Sequence, residues 1–176
     1  EQLLVNKQKG EQVRATTAQL DYLSYELGRF CTMMITGNPI ALEILALMMQ
    51  EERHRLVRLA FEEEWDRLLN YLTTRRALIT KELIDNYVNY AKSQFNQARR
   101  LAESGGSYGE RSCKSMYHGV RVLLEAIELL NGSLLPRMLH STEHRRVMRE
   151  IKDGVMDQPG AESYYGMLEK QAIDMK

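Results

Sequence analysis

Lys114, His118, Arg121, Glu125 and Glu128 follow one another at intervals of four, three, four and three residues. On a helix that spacing puts all five on one face, because residues three and four apart are neighbours. The first three are cationic or hydrogen-bonding groups within two turns. They suit phosphate, for which lysine offers a compact charge and arginine a planar fork. The other sides of the same stretch carry Met116, Val120, Leu123, Leu124, Ile127 and Leu130, so the five form a polar line on an otherwise apolar helix. A solvated face held by i, i+4 ion pairs satisfies the periodicity equally well and is the plainer of the two accounts.

Asp21 is a second candidate, a carboxylate among Leu20, Tyr22 and Leu23 at a strand end just before a helix. Such a group can hold a metal or act as a base, and it can equally cap a turn, the commoner use of an aspartate there. The four histidines, His54, His118, His140 and His144, have no zinc-binding spacing. Cys31 falls on an apolar helix face and reads as core rather than nucleophile. His144, Arg145, Arg146 and Arg149 form a basic cluster that could touch a nucleic-acid backbone. As a solvated helix face it needs no function. The chain has no phosphate-binding P-loop, no GxGxxG and no serine elbow.

Helices must position these groups. After a short strand at 2–5 and a polar turn, the stretch 13–22 ends as a strand. Ser24 then stands where it can cap a helix with Leu27, Phe30, Cys31 and Met34 on its buried face. Gly37 stops that helix, Asn38 caps the next and Pro39 suits its first position. Ile40, Ile44, Leu47 and Met48 carry the helical period onward. Further helices are expected at 51–73, 81–104 and 113–131, a flexible loop at 104–109, an extended stretch at 134–139, a short basic helix at 143–152 and a last helix at 163–175.

With 176 residues, 44% of them hydrophobic, the chain can bury a real core. Formal net charge is zero, so any attraction to nucleic acid or an anionic membrane must come from a local patch. Two cysteines without a framework suit a reducing compartment. No run is apolar enough to span a bilayer, and no signal peptide is visible. These features suggest a cytoplasmic protein with no membrane partner. The sequence opens on Glu1 rather than Met, which fits a piece of a longer protein.

Two stretches, DYLSYELGRF and TGNPIALEIL, together carry a resemblance. Their order is an aspartate, then Tyr-Glu-Leu-x-(Lys/Arg)-Phe, then Gly-Asn-Pro, then Leu-Glu-x-Leu. It resembles the nucleotidyltransferases of the DNA polymerase beta superfamily that are assigned to an RNA-repair pathway. Tyr90-Ala91 with Gln94 is similar to that family's Tyr-Ala-x-x-Gln helix. KSMYHGVRVLLEAIELLNGSL is similar to its Lys-x-x-x-His-x-x-Arg helix, and REIKDG to its closing element of isoleucine, basic residue and glycine. The motifs come in family order from Asp21 to Gly154.

The resemblance implies the C-terminal part of an α+β nucleotidyltransferase fold plus a helical bundle: mainly α, with a short β segment at the N-terminus. Residues 1–36 would end the nucleotidyltransferase core, with its last strand and following helix, and 37–176 would form a helical substrate-binding domain. It implies metal-dependent transfer of a nucleotidyl group from a nucleoside triphosphate to a hydroxyl, with an RNA end as the expected acceptor. Asp21 would be the family's third carboxylate, catalytic and holding magnesium; Lys114, His118 and Arg121 would bind the substrate. The family's Gly-Ser loop and first carboxylate pair have no counterpart in this sequence and are expected to precede it. The competing expectation is a non-catalytic helical module, an inhibitor, antitoxin-like partner or assembly component that kept the fold. A plain oligomerising bundle is the third, with the ten methionines as adaptable contacts; the oligomeric state itself is not legible.

Overall fold

A computed structural model describes residues 13–16, 21–24, 27–49, 80–105, 108–133 and 141–176; for 13–16, 21–24, 27, 45 and 47–49 it describes the backbone alone. Among the described residues the chain is mainly helical. Strands β1 (Val13–Thr16) and β2 (Asp21–Ser24) pair antiparallel, Val13 opposite Ser24 and Thr16 opposite Asp21. Among the described residues six helices follow: α1 (Leu27–Ile35), α2 (Pro39–Met49), α3 (Lys81–Gly105), α4 (Glu110–Leu130), α5 (Thr142–Lys152) and α6 (Gln158–Asp174). The expected strand at 2–5, helix at 51–73 and extended stretch at 134–139 lie outside the described residues.

Helix α4 is the centre. Cys113, Met116, Val120, Val122, Leu123, Leu124, Ala126 and Leu129 are all buried along it. A helix that is apolar on most sides has to be wrapped by others, and α3, α5 and α6 pack on it. The crossing with α3 is close because small residues meet there. A Cβ on Gly119 would lie 3.2 Å from the Ala91 carbonyl oxygen and 3.4 Å from Tyr165 Cε2. Tyr165 comes from α6 and stacks on Phe95 of α3, ring centroids 4.4 Å apart.

The α1–α2 corner is built as the Gly-Asn-Pro spelling requires. Gly37 has φ +68°, and its N–H donates to Met34 O while Asn38 N–H donates to Met33 O. These bonds close a helix on a left-handed glycine. Asn38 Oδ1 then accepts from Ile40 N at 3.0 Å and Ala41 N at 3.4 Å, capping α2. Asn86 of α3 donates its side-chain amide to the Thr36 carbonyl, which fixes the corner on α3.

Several expectations are corrected. Ser24 is the last residue of β2, opposite Val13, and α1 runs from Leu27. Helix α4 begins three residues before 113, at Glu110. Helix α6 begins at Gln158 because Asp157 caps it, accepting from Gly160 N at 2.9 Å, with a proline in its first turn. In α2 the buried residues, among those whose side chains are described, are Pro39, Ala41, Leu42, Glu43 and Ala46, while Ile40 and Ile44 are half-buried. Among the described residues no helix is long and apolar enough to cross a membrane.

Candidate functional site

The polar line of α4 is not a solvated face. Lys114 is exposed, His118 half-buried, Arg121 19% exposed at its side chain and Glu125 only 1%. The line starts at the surface and runs into the protein, so its members have different surroundings and different work.

Its inner end is a charge cluster shared by three helices. Arg121 Nη1 donates to Glu43 Oε2 at 2.9 Å, and Nη2 lies 2.8 Å from Oε1. Glu43 stands on α2, so the pair bridges α2 to α4. Arg121 Nε is 3.9 Å from Glu125 Oε1 on the next turn. The buried Tyr87 hydroxyl of α3 and both Glu125 oxygens have no hydrogen-bond partner when both carboxyls are ionised. Two carboxylates are acceptors only and cannot bond each other. Burial, with Glu43 beside it, pushes Glu125 well above the usual carboxylate range, and burial raises Glu43 as well. A proton on Glu125 supplies the missing donor toward Glu43 and leaves one cation facing one anion in the interior. Burial and the two carboxylates also push the Tyr87 hydroxyl up, so it stays neutral.

The outer end opens on a cleft of about 730 Å³ between the start of α4 and the end of α5. Lys114, Tyr117 and His118 enter it from α4, Tyr108 from the preceding loop, and Lys152 and Gly154 from α5 and its exit turn. Burial lowers His118 to about 4, and Arg121, Lys114 and Lys152 add repulsion. Its imidazole is therefore neutral at pH 7, with one nitrogen donating and one accepting. It meets the Tyr117 ring edge to face at 5.3 Å. Lys152 Nζ lies 5.8 Å from the centre of that ring. Cys113 borders the cleft, and burial pushes its thiol up, which disfavours the thiolate.

The structure thus brings Lys114 and His118 into one cleft, while Arg121 bonds Glu43 and lines a smaller neighbouring cleft. Asp21 is placed only as a backbone position of β2, opposite Thr16. Sequence reasoning passed over Tyr117 and Lys152 as site residues, although Lys152 was visible in the Ile-basic-x-Gly ending of α5. Among the described residues no three His, Cys, Asp or Glu side chains come together as a metal site. The two carboxylates that do meet, Glu43 and Glu125, enclose a guanidinium.

Comparison with known proteins gives the class. The sequence model of the RNA repair pathway DNA polymerase beta family matches residues 2–158, and the chain belongs to that family. No curated protein and no solved structure matches it. The motifs now have physical reasons. Glu43 of the Leu-Glu-x-Leu stretch and Arg121 of the Lys-x-x-x-His-x-x-Arg helix are partners. Ala91 and Gln94 of the Tyr-Ala-x-x-Gln helix are what Gly119 packs against.

Proposed function

We propose that this chain is the C-terminal part of a nucleotidyltransferase acting in RNA end repair in the cytoplasm. Residues 1–36 end its catalytic core and 37–176 form its helical substrate-binding domain. In the reaction an acceptor hydroxyl forms a bond to the α-phosphorus of a nucleoside triphosphate, the bond to the departing pyrophosphate breaks, and the hydroxyl proton is lost. The observation that carries this reading is that Lys114 and His118 open on one cleft together with Lys152 and Tyr117. The two ammonium groups suit the triphosphate. The neutral His118 can hydrogen-bond a sugar hydroxyl or base edge, and the Tyr117 ring offers a base a face to stack on. Arg121 acts as a positioning residue that holds α2 and α4 together beneath the cleft. Asp21 would give magnesium one of the several oxygens that ion takes, and magnesium, when bound, would neutralise phosphate charge and make the hydroxyl easier to ionise.

Equilibrium binding of a fluorescent nucleoside triphosphate in magnesium buffer tests the reading. Lys114→Ala and Lys152→Ala should each weaken binding by about tenfold or more, since a charge-assisted contact contributes about 1.5–3 kcal/mol. Both lysines are exposed, so thermal unfolding should not move. Absence of saturable binding would overturn the reading in favour of a helical interaction module.

A further inference from the structure

A second, smaller cleft of about 360 Å³ runs along α5 and shares Tyr117, Lys152 and Asp153 with the first. Arg145, Arg149 and Lys152 line it, four and three residues apart and all exposed. Along the helix axis they are about 6 Å and 4.5 Å apart, so the three form one stripe along α5. Among the described residues none of these three cations pairs with a carboxylate. Arg145 reaches only the Thr142 hydroxyl, at 3.4 Å. Their neighbour Arg146, by contrast, is held by Glu150 at 2.6 Å. The acids facing the stripe do little to cancel it. Glu125 is buried beside the Arg121 guanidinium, and Asp153 at the rim is the one exposed carboxylate of this cleft. In a chain of zero formal charge this is a local concentration of positive charge, set where the two clefts join.

We propose that Arg145, Arg149 and Lys152 form the track for a single-stranded RNA, whose end passes Tyr117 into the nucleotide cleft. The proposal rests on that cleft being the nucleotide site. Three observations favour RNA as occupant. The track is concave, which suits a strand rather than a flat bilayer. Two of its three cations are guanidiniums, which grip phosphate by two hydrogen bonds at once. It also leads to the half-buried Tyr117 ring, which lines both clefts, and basic grooves with stacking rings are how single strands are bound without regard to sequence.

The test uses a fluorescein-labelled decauridylate, titrated at several salt concentrations, beside the nucleoside triphosphate titration. Each phosphate neutralised on a single strand steepens the plot of log affinity against log salt by about 0.7. The double variant Arg145→Ala/Arg149→Ala should lose RNA affinity at low salt and flatten the slope by about 1.4, with nucleotide binding unchanged. RNA binding that the double variant retains in full, slope included, overturns the track. Nucleotide binding without RNA binding also overturns it and leaves the cleft reading standing. RNA binding through the stripe without nucleotide binding keeps the track and overturns the cleft. Binding to phosphatidylserine vesicles that needs the two arginines, with no RNA binding, would replace RNA by a membrane surface.

Discussion

Arg121 and Glu43 lie 78 residues apart in the chain, yet the guanidinium of one is bonded to the carboxylate of the other at 2.9 Å. The pair is mostly buried, at 19% and 11% side-chain exposure, so its attraction is little screened while both groups have lost water. Removing one partner leaves the other charged and alone. Arg121→Ala should therefore cost roughly 3–5 kcal/mol of unfolding free energy in urea. Replacing Arg121, Glu43 and Glu125 together by Met, Leu and Leu should come out near the wild type, because apolar packing substitutes for a buried ion cluster at little net loss. An Arg121→Ala protein within about 1 kcal/mol of wild type would remove the bridging role.

Glu125 makes stability depend on pH in an unusual direction for a carboxylate. Its folded pKa lies well above the ordinary 4.5, so above that value the folded chain holds a proton that the unfolded chain releases. The contribution is complete below about 4.5 and is lost as pH rises through the folded value. Glu125→Gln keeps a neutral hydrogen-bond donor toward Glu43 and should abolish this alkaline loss. Urea midpoints measured from pH 5 to 9 check it: an unchanged pH profile in the variant would mean that Glu125 is ionised in the native protein.

How far such details could be read beforehand differs from place to place. The α1–α2 corner was legible because Gly37, Asn38 and Pro39 each have one good position at a helix junction, and the structure uses all three. The two long helices α3 and α4 were legible from period alone. The fate of the polar line was not. Spacing says that Arg121 and Glu125 share a face but not what faces them, and the partner, Glu43, lies on another helix. Lys152 stood in a visible motif, but its place in the cleft was not legible for the same reason, since a lysine ending a basic helix looks like any solvated charge until α5 is laid beside α4. A serine before an apolar run suits a helix cap and a strand end alike, and Ser24 stands at the end of β2.

Gly37 should tolerate no side chain. Its φ of +68° strains any L residue, and a Cβ there would lie 3.0 Å from Leu83 Cα and Cγ. Relief by a side-chain swing is blocked, since one of the crowded atoms is α3 backbone. Gly37→Ala should cost roughly 1–3 kcal/mol from the backbone conformation, with the clash adding to it. Because the corner also holds α2, and with it Glu43, nucleotide affinity should fall along with stability in this variant. A melting temperature equal to wild type would show that the corner is not built on this contact.

His118 offers a readout of the cleft itself. In the folded protein it is lowered to about 4 from an ordinary 6.5, by burial first and then by Arg121, Lys114 and Lys152. Between those values the unfolded chain takes up a proton that the folded chain refuses. Stability present above pH 6.5 should therefore decline as pH falls toward about 4, and His118→Gln should remove that slope. Proton NMR of the imidazole ring gives the same quantity directly, and a midpoint near 6.5 would refute the burial. The ligand then adds a second test. A triphosphate bound against Lys114 and Lys152 brings negative charge beside the ring, which favours imidazolium, so saturating nucleotide should raise the His118 midpoint. A midpoint that nucleotide leaves in place would separate His118 from the binding site even if the lysines prove essential.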